Sequence, residues 1–403
     1  MKTRALRIIV ILSAVVALSV APAIGGTGQT APEKKPTAAT PVPPRSLAAH
    51  LVGHAHIDLS WLWRWEETVA DIATFTFKGT LAQMDKLPGL TFAQSQAAIY
   101  EAMEKDYPDL FQRIARKVKE GTWVPVGGMW VEPDLNMPDG ESLARQLLYG
   151  KRYFLDKFGV DVKVGWNPDS FGHNWQLPQI LRRAGIDSYV FGRCAPGPDP
   201  THIFWWEGMD GSRVLGYVPP GWYNVDLRDG VRKILEDARK NTDVKGGVMR
   251  LSVIHGATAP DPEADRGRHE LLYSILPHRG DWKAAETTRR GRELGRPLIA
   301  RVPLVHGGTL PKVHSFVRVG PGNVILSALK KEMGYAERGL VLRLYEIHGE
   351  KTEAKLEFPW PVSAEETDLI ERPSGKPLGS GTAISVPLGP YEIKTIRIEL
   401  KRG

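Results

Sequence analysis

His54, His56 and Asp58 occupy alternate positions in Leu51-Val52-Gly53-His54-Ala55-His56-Ile57-Asp58. An apolar lead-in that ends in clustered His and Asp reads as a buried strand delivering ligands at its C-terminal end. Alternate residues of a strand face one side, so this spacing lets the three side chains converge on a metal ion. A polar strand terminus that holds no metal is the alternative. Residues 165–178 form a second cluster, Gly-Trp-Asn-Pro-Asp-Ser-Phe-Gly-His-Asn-Trp-Gln-Leu-Pro. Asp169 there follows a strand and precedes a helix. A carboxylate so placed can join a metal, act as a nucleophile, or do both; the alternative is a cap on the following turn. Several of the 12 Trp lie near these clusters. Rings that line a polar cleft suit the C–H faces of a sugar, whereas Trp61, Trp166 and Trp175 taken singly read as core.

Both clusters need strands to present them, and the pattern supplies strands. From Leu51 to about residue 255, short apolar runs alternate with helical periodicities. Trp61, Trp65, Val69 and Ile72 recur at helical spacing and predict a helix toward Leu87, which Pro88-Gly89 ends. Further helices are expected at 110–119, 142–158, 175–184 and 231–240. Strands are expected at 90–93, 122–126, 162–166, 189–191 and 248–254. Runs at 203–206 and 214–218 flank Asp210-Gly211, a hairpin signal. Such alternation predicts a mostly parallel α/β domain, in which ligands bind beyond the C-terminal ends of the strands. From Phe316 the pattern changes to short strands (324–326, 340–347, 354–358, 383–386 and 393–400) punctuated by Pro and Gly. That predicts an antiparallel β-sandwich-like module. The expected boundaries are an α/β domain over 47–256, a junction over 257–315 and the β-module over 316–403.

Composition narrows the function class. Of 403 residues, 42% are hydrophobic and 25% charged, as in ordinary globular proteins with a sizeable core. Net charge is +7, but residues 1–46 carry six basic residues against one acid, so the remainder is nearly neutral. No clustered basic face for nucleic acid is visible. Lys2, Arg4 and Arg7, the apolar run Ile8–Val20 and Ala21-Pro22-Ala23 predict a cleaved signal peptide over 1–23 and hence export, periplasmic or extracellular. Residues 24–46, rich in Pro, Thr, Ala and Gly, read as a linker. No membrane span is expected to remain after cleavage. The single cysteine, Cys194, excludes an intrachain disulfide and reads as a packed small residue.

Three blocks together carry a resemblance: His-Ala-His-Ile-Asp-Leu-Ser-Trp at 54–61, Gly-Met-Trp-Val-Glu-Pro-Asp at 128–134, and Trp-Asn-Pro-Asp-Ser-Phe-Gly-His at 166–173. In order and wording they resemble the α-mannosidases of glycoside hydrolase family 38. The likeness runs over about 49–240. Leu-Pro-His-Arg-Gly-Asp-Trp at 276–282 and Leu-Pro-Lys-Val-His-Ser-Phe at 310–316 resemble the family's C-terminal β-domain. An unrelated metal hydrolase such as an amidohydrolase does not fit the third block. The resemblance implies a zinc-dependent retaining exoglycosidase acting on mannose-containing oligosaccharides or glycoprotein glycans. It implies His56, Asp58 and Asp169 as zinc ligands, with Asp169 also the catalytic nucleophile. Trp61 would stack under the sugar and Arg193 would line the substrate pocket. His54 matches no ligand position and would stand behind the ligands.

Family members are considerably longer. Between the matching regions they carry a helical bundle, further β-structure, an acid/base Asp and a later His ligand, and neither of these residues has a counterpart in this sequence. His255 could fill the fourth ligand position, but reads first as a surface or structural histidine, and Asp261 and Glu263 are candidate stand-ins of no better standing. A catalytically inactive zinc- or sugar-binding remnant is therefore the alternative expectation. An incomplete β-region would leave apolar surface exposed, so association into a homo-oligomer is expected as well.

Overall fold

The computed structural model describes residues 13–17, 50–194, 203–219, 278, 280–301, 307–308, 311, 313–333 and 339–400. The strands come first. β2 (His50–His54), β3 (Phe92–Gln94) and β4 (Trp123–Pro125) are parallel neighbours, and β1 (Ser13–Ala17) pairs antiparallel with β2. β1 lies within the apolar run expected as the core of a signal peptide. In a second sheet β5 (Val164–Asn167), β6 (Ser188–Phe191) and β8 (Arg213–Tyr217) are parallel, and β7 (Ile203–Glu207) is the antiparallel edge. β7 and β8 form the hairpin that Asp210-Gly211 predicts, with Gly211 at a φ of +81°. One apolar cluster draws Ala93 from the first sheet, Val126 from just after β4, and Trp166 and Val190 from the second sheet. The expected mostly parallel α/β domain is thus present.

Helices return the chain between these strands. α1 (Trp65–Glu67) runs through a π-helical segment, Thr68–Ala73, into α2 (Thr74–Lys86). The helix starts four residues later than the Trp61 periodicity predicts. Glu67 accepts the Arg64 N–H at 2.8 Å and so caps the first turn there. Trp63 Nε1 donates to the Asp58 carbonyl at 3.1 Å, folding residues 59–63 back as bends. α3 (Ala97–Asp106) was not expected. Its first four residues are all buried, which hides any amphipathic stripe, and its cap, Gln96, is left-handed with a φ of 68°. α4 (Pro108–Lys119), α5 (Gly140–Phe158) and α6 (Leu177–Arg183) match expectation within a few residues. The helix expected at 231–240 and the strand at 248–254 lie outside the described residues.

One segment of this domain bears directly on the site. After β4, Gly127 and Gly128 both adopt positive φ and turn the chain under α5. A Cβ on Gly150 of α5 would stand 2.4 Å from the Met129 carbonyl carbon, so only glycine allows this approach. Gln146 then accepts the Trp130 N–H on its backbone carbonyl and the Val131 N–H on its side chain, each at 2.9 Å. Residues 129–132 are consequently fixed by a helix rather than left as a loose loop.

α7 (Thr287–Gly295) precedes the C-terminal module. Six strands there are antiparallel: β9 (Arg318–Gly320), β10 (Val324–Lys331), β11 (Leu340–Glu346), β12 (Thr352–Thr367), β13 (Pro373–Leu388) and β14 (Ile393–Leu400). β12 and β13 run far longer than their apolar cores predict. Leu369 and Ile370, from the turn after β12, enter the same apolar cluster as Leu147, Leu181 and Tyr189 of the α/β domain. Arg343 of β11, 2% exposed, pairs with Glu141 of α5 and donates to Leu369 O and Thr395 Oγ1. Removing Arg343 leaves the buried Glu141 only the more exposed Arg145 as a charge partner. Arg343→Ala is expected to cost about 3 kcal/mol in urea unfolding, the lower end for breaking a buried pair. Replacing both, Arg343→Met with Glu141→Leu, is expected to cost much less.

Candidate active site

His56, Asp58 and Asp169 come together where β2 and β5 deliver them, at the C-terminal ends of parallel strands. One ligand atom from each lies within 4.8 Å of the others. His56 Nε2 is 3.2 Å from Asp58 Oδ1 and 3.8 Å from Asp169 Oδ2. Donors around a tetrahedral zinc with bonds of about 2.0–2.2 Å stand roughly 3.3–3.6 Å apart, so this imidazole–carboxylate set fits such an ion. Counting formal charges, Asp58, Glu132 and Asp169 against Arg193 leave two negative charges, which a divalent cation would balance.

His56 is enclosed from its other side too. Its Nδ1 stands 3.1 Å from Glu132 Oε2. Burial lowers the His56 pKa, but the charges of Glu132 and Asp58 and hydrogen bonds to both outweigh burial and raise it to about 10. Arg193 Nε donates to Asp169 Oδ1, and its guanidinium stacks 4.3 Å over the Phe171 ring. Asp169 therefore has one oxygen held by Arg193 and the other toward His56.

The remaining sequence candidates separate. His54 does not stand behind His56. The strand ends at His54, alternation stops there, and its ring turns to the interior. Trp166 Nε1 donates to His54 Nε2 at 3.0 Å, and His54 Nδ1 meets the Ala93 carbonyl at 2.9 Å. Complete burial lowers its pKa to about 4, so it is a neutral core residue at neutral pH. Trp61 is 53% exposed, and its ring meets Trp63 edge-on at 5.4 Å. Trp175 is exposed and Trp166 is core. Cys194 is exposed, not packed, because it follows β6 in a left-handed conformation with a φ of 59°. His255, Asp261 and Glu263 lie outside the described residues. Sequence reasoning missed Glu132, and its place in the middle of the 128–134 block was the only signal available.

With this geometry in view, residues 46–256 match the family described as Glycosyl hydrolases family 38 N-terminal domain. The chain belongs to glycosyl hydrolase family 38. Residues 323–396 of this family 38 chain match the Glycosyl hydrolases family 38 C-terminal beta sandwich domain. Alpha-mannosidase G of Dictyostelium discoideum is 41% identical over 197 residues, 48% of this chain and 18% of that protein. Alpha-mannosidase 2C1 of Homo sapiens is 41% identical over 210 residues, 51% of this chain and 20% of that protein. The chain thus spans about a fifth of the length of these curated relatives. The crystal structure of an alpha-mannosidase from Enterococcus faecalis V583 aligns over 46% of this chain and 23% of that chain, at 22% identity and a TM-score of 0.40. Among the described residues no helix is long and apolar enough to cross a membrane.

A metal can take Nε2 only after that nitrogen loses its proton. Because His56 is protonated up to about pH 10 without metal, zinc binding at pH 8 is expected to release about one proton per ion. Calorimetry in buffers of different ionisation enthalpy counts that proton. His56→Ala should abolish the release.

Proposed function

We propose that this chain is a zinc-dependent retaining α-mannosidase acting on terminal α-mannosyl linkages of glycans. The observation that carries the reading is the convergence of His56, Asp58 and Asp169 within a domain of this family. Relatives named as alpha-mannosidases support the substrate class. His56, Asp58 and Asp169 would hold zinc, which would supply positive charge beside the terminal sugar. The chain's own residues do the rest. Arg193 grips one oxygen of Asp169 and fixes the rotamer of its carboxylate. The Asp169 carboxylate attacks the anomeric carbon as the bond to the leaving alcohol breaks, forming a glycosyl ester. Water then cleaves that ester, and two inversions retain the configuration. Trp61, half-exposed beside the metal-ligand strand, offers a ring face for the sugar.

A leaving alkoxide needs a proton, and lack of a general acid costs about 10²–10⁴ in rate. A dinitrophenolate leaves without one, so 2,4-dinitrophenyl α-mannoside isolates the contribution of Asp169. Turnover by the zinc-loaded chain is expected, and Asp169→Ala should lower kcat/KM by at least about 10³-fold. Chelation should abolish activity and added zinc restore it. Wild-type turnover no higher than that of Asp169→Ala would contradict the enzyme reading and leave a zinc- and sugar-binding remnant.

Export belongs to the same proposal. The basic residues Lys2, Arg4 and Arg7, the apolar run to Val20 and Ala21-Pro22-Ala23 support a cleaved leader. Cleavage after Ala23 would remove β1 and uncover the edge of β2. N-terminal sequencing of the exported protein is expected to begin at Ile24.

A further inference from the structure

We propose that Glu132 is the residue that positions His56, accepting its Nδ1–H and so directing Nε2 to the metal; this rests on the metal-site reading above. A histidine ligand uses one ring nitrogen, and the hydrogen bond at the other decides which one. Here the two nitrogens meet different partners. Nε2 faces Asp58 and Asp169, the other two members of the cluster, at 3.2 and 3.8 Å. Nδ1 faces Glu132 Oε2 at 3.1 Å.

Glu132 is held as a positioning residue must be. Its Oε1 accepts the Ser95 hydroxyl at 2.6 Å, which leaves Oε2 for the imidazole. Its backbone N–H donates to Gln96 Oε1 at 3.1 Å. Gln96 Nε2 in turn donates to the carbonyl of Ile57, the residue after His56, at 2.7 Å. One amide therefore ties the ligand strand to the backbone of the carboxylate that faces the ligand. Gln96 does this from a left-handed backbone with a φ of 68°, which a residue bearing a Cβ adopts only when its surroundings hold it there. Ser95 and Gln96 are 1% and 3% exposed, and the Glu132 side chain 8%. The Gly150 contact and the two Gln146 hydrogen bonds fix the neighbouring residues of the Glu132 segment.

A purely structural ion pair would serve the metal-free fold and leave zinc affinity alone. The two roles separate when the metal-free full chain is titrated with zinc ions against a chromophoric chelator. Glu132→Ala is expected to weaken zinc binding by about 10–100-fold. Glu132→Gln, which keeps an acceptor oxygen facing Nδ1, should recover part of that loss. Zinc affinity of Glu132→Ala within about threefold of wild type would overturn the role. Long-range ¹H–¹⁵N spectra of the zinc-loaded wild type provide a readout that needs no variant to fold. They should show His56 protonated at Nδ1 and ligated through Nε2, and ligation through Nδ1 overturns the proposal. A wild-type chain that takes up no zinc overturns the metal-site reading and this role with it. Equal uptake by wild type and Glu132→Ala overturns only the role of Glu132.

Discussion

The imidazole of His56 is the point on which the site depends. It is buried between Glu132 on one nitrogen and Asp58 and Asp169 on the other. Carboxylates gathered this closely repel one another unless a cation stands among them. Without a metal the cation is the imidazolium, which explains a pKa near 10 despite burial. With a metal the ion takes over that duty and the ring becomes a neutral ligand. The same side chain thus serves the cluster in both states, as counter-charge in one and as neutral ligand in the other. Arg193 contributes to the balance from the far side of Asp169.

Holding one ring in place recruits much of the α/β domain. The chain leaving β2 brings His56 and Asp58, and the chain leaving β5 brings Asp169. α5 presses on Met129 through Gly150 and sets the course of the chain to Glu132. The C-terminal sheet contributes as well. Arg343 of β11 neutralises Glu141 inside α5, and Arg152 of α5 donates to the Ile370 carbonyl. Gln179 of α6 donates to Tyr391 O and accepts from the Ile393 N–H. The helices that frame the site are therefore buttressed from behind by the β-module, across a shared apolar cluster.

Much of this was legible in the residues. Strand–helix alternation foretold the parallel strands, because buried strands and amphipathic helices leave different periodicities. His56, Asp58 and Asp169 were recognisable from two short blocks, and the structure brings them together. His54 shows where local reasoning ends. Its spacing implies a shared face with His56, yet the strand stops and Trp166, 112 residues away in sequence, claims its Nε2. α3 escaped because a helix buried all round its first turn has no stripe to read. Glu132 escaped because its importance lies in what it faces across the fold. The long β12–β13 hairpin was underread for a related reason, since its outer half, Pro373 to Gly381, is mostly exposed and carries little apolar signal.

Anomalous diffraction at the zinc edge, from crystals of the full chain grown with zinc, tests the central claim most directly. The expected result is one strong peak about 2.0–2.2 Å from His56 Nε2 and from carboxylate oxygens of Asp58 and Asp169. Nδ1 should remain on Glu132. A peak elsewhere, or none at these three residues in zinc-saturated crystals, would contradict it.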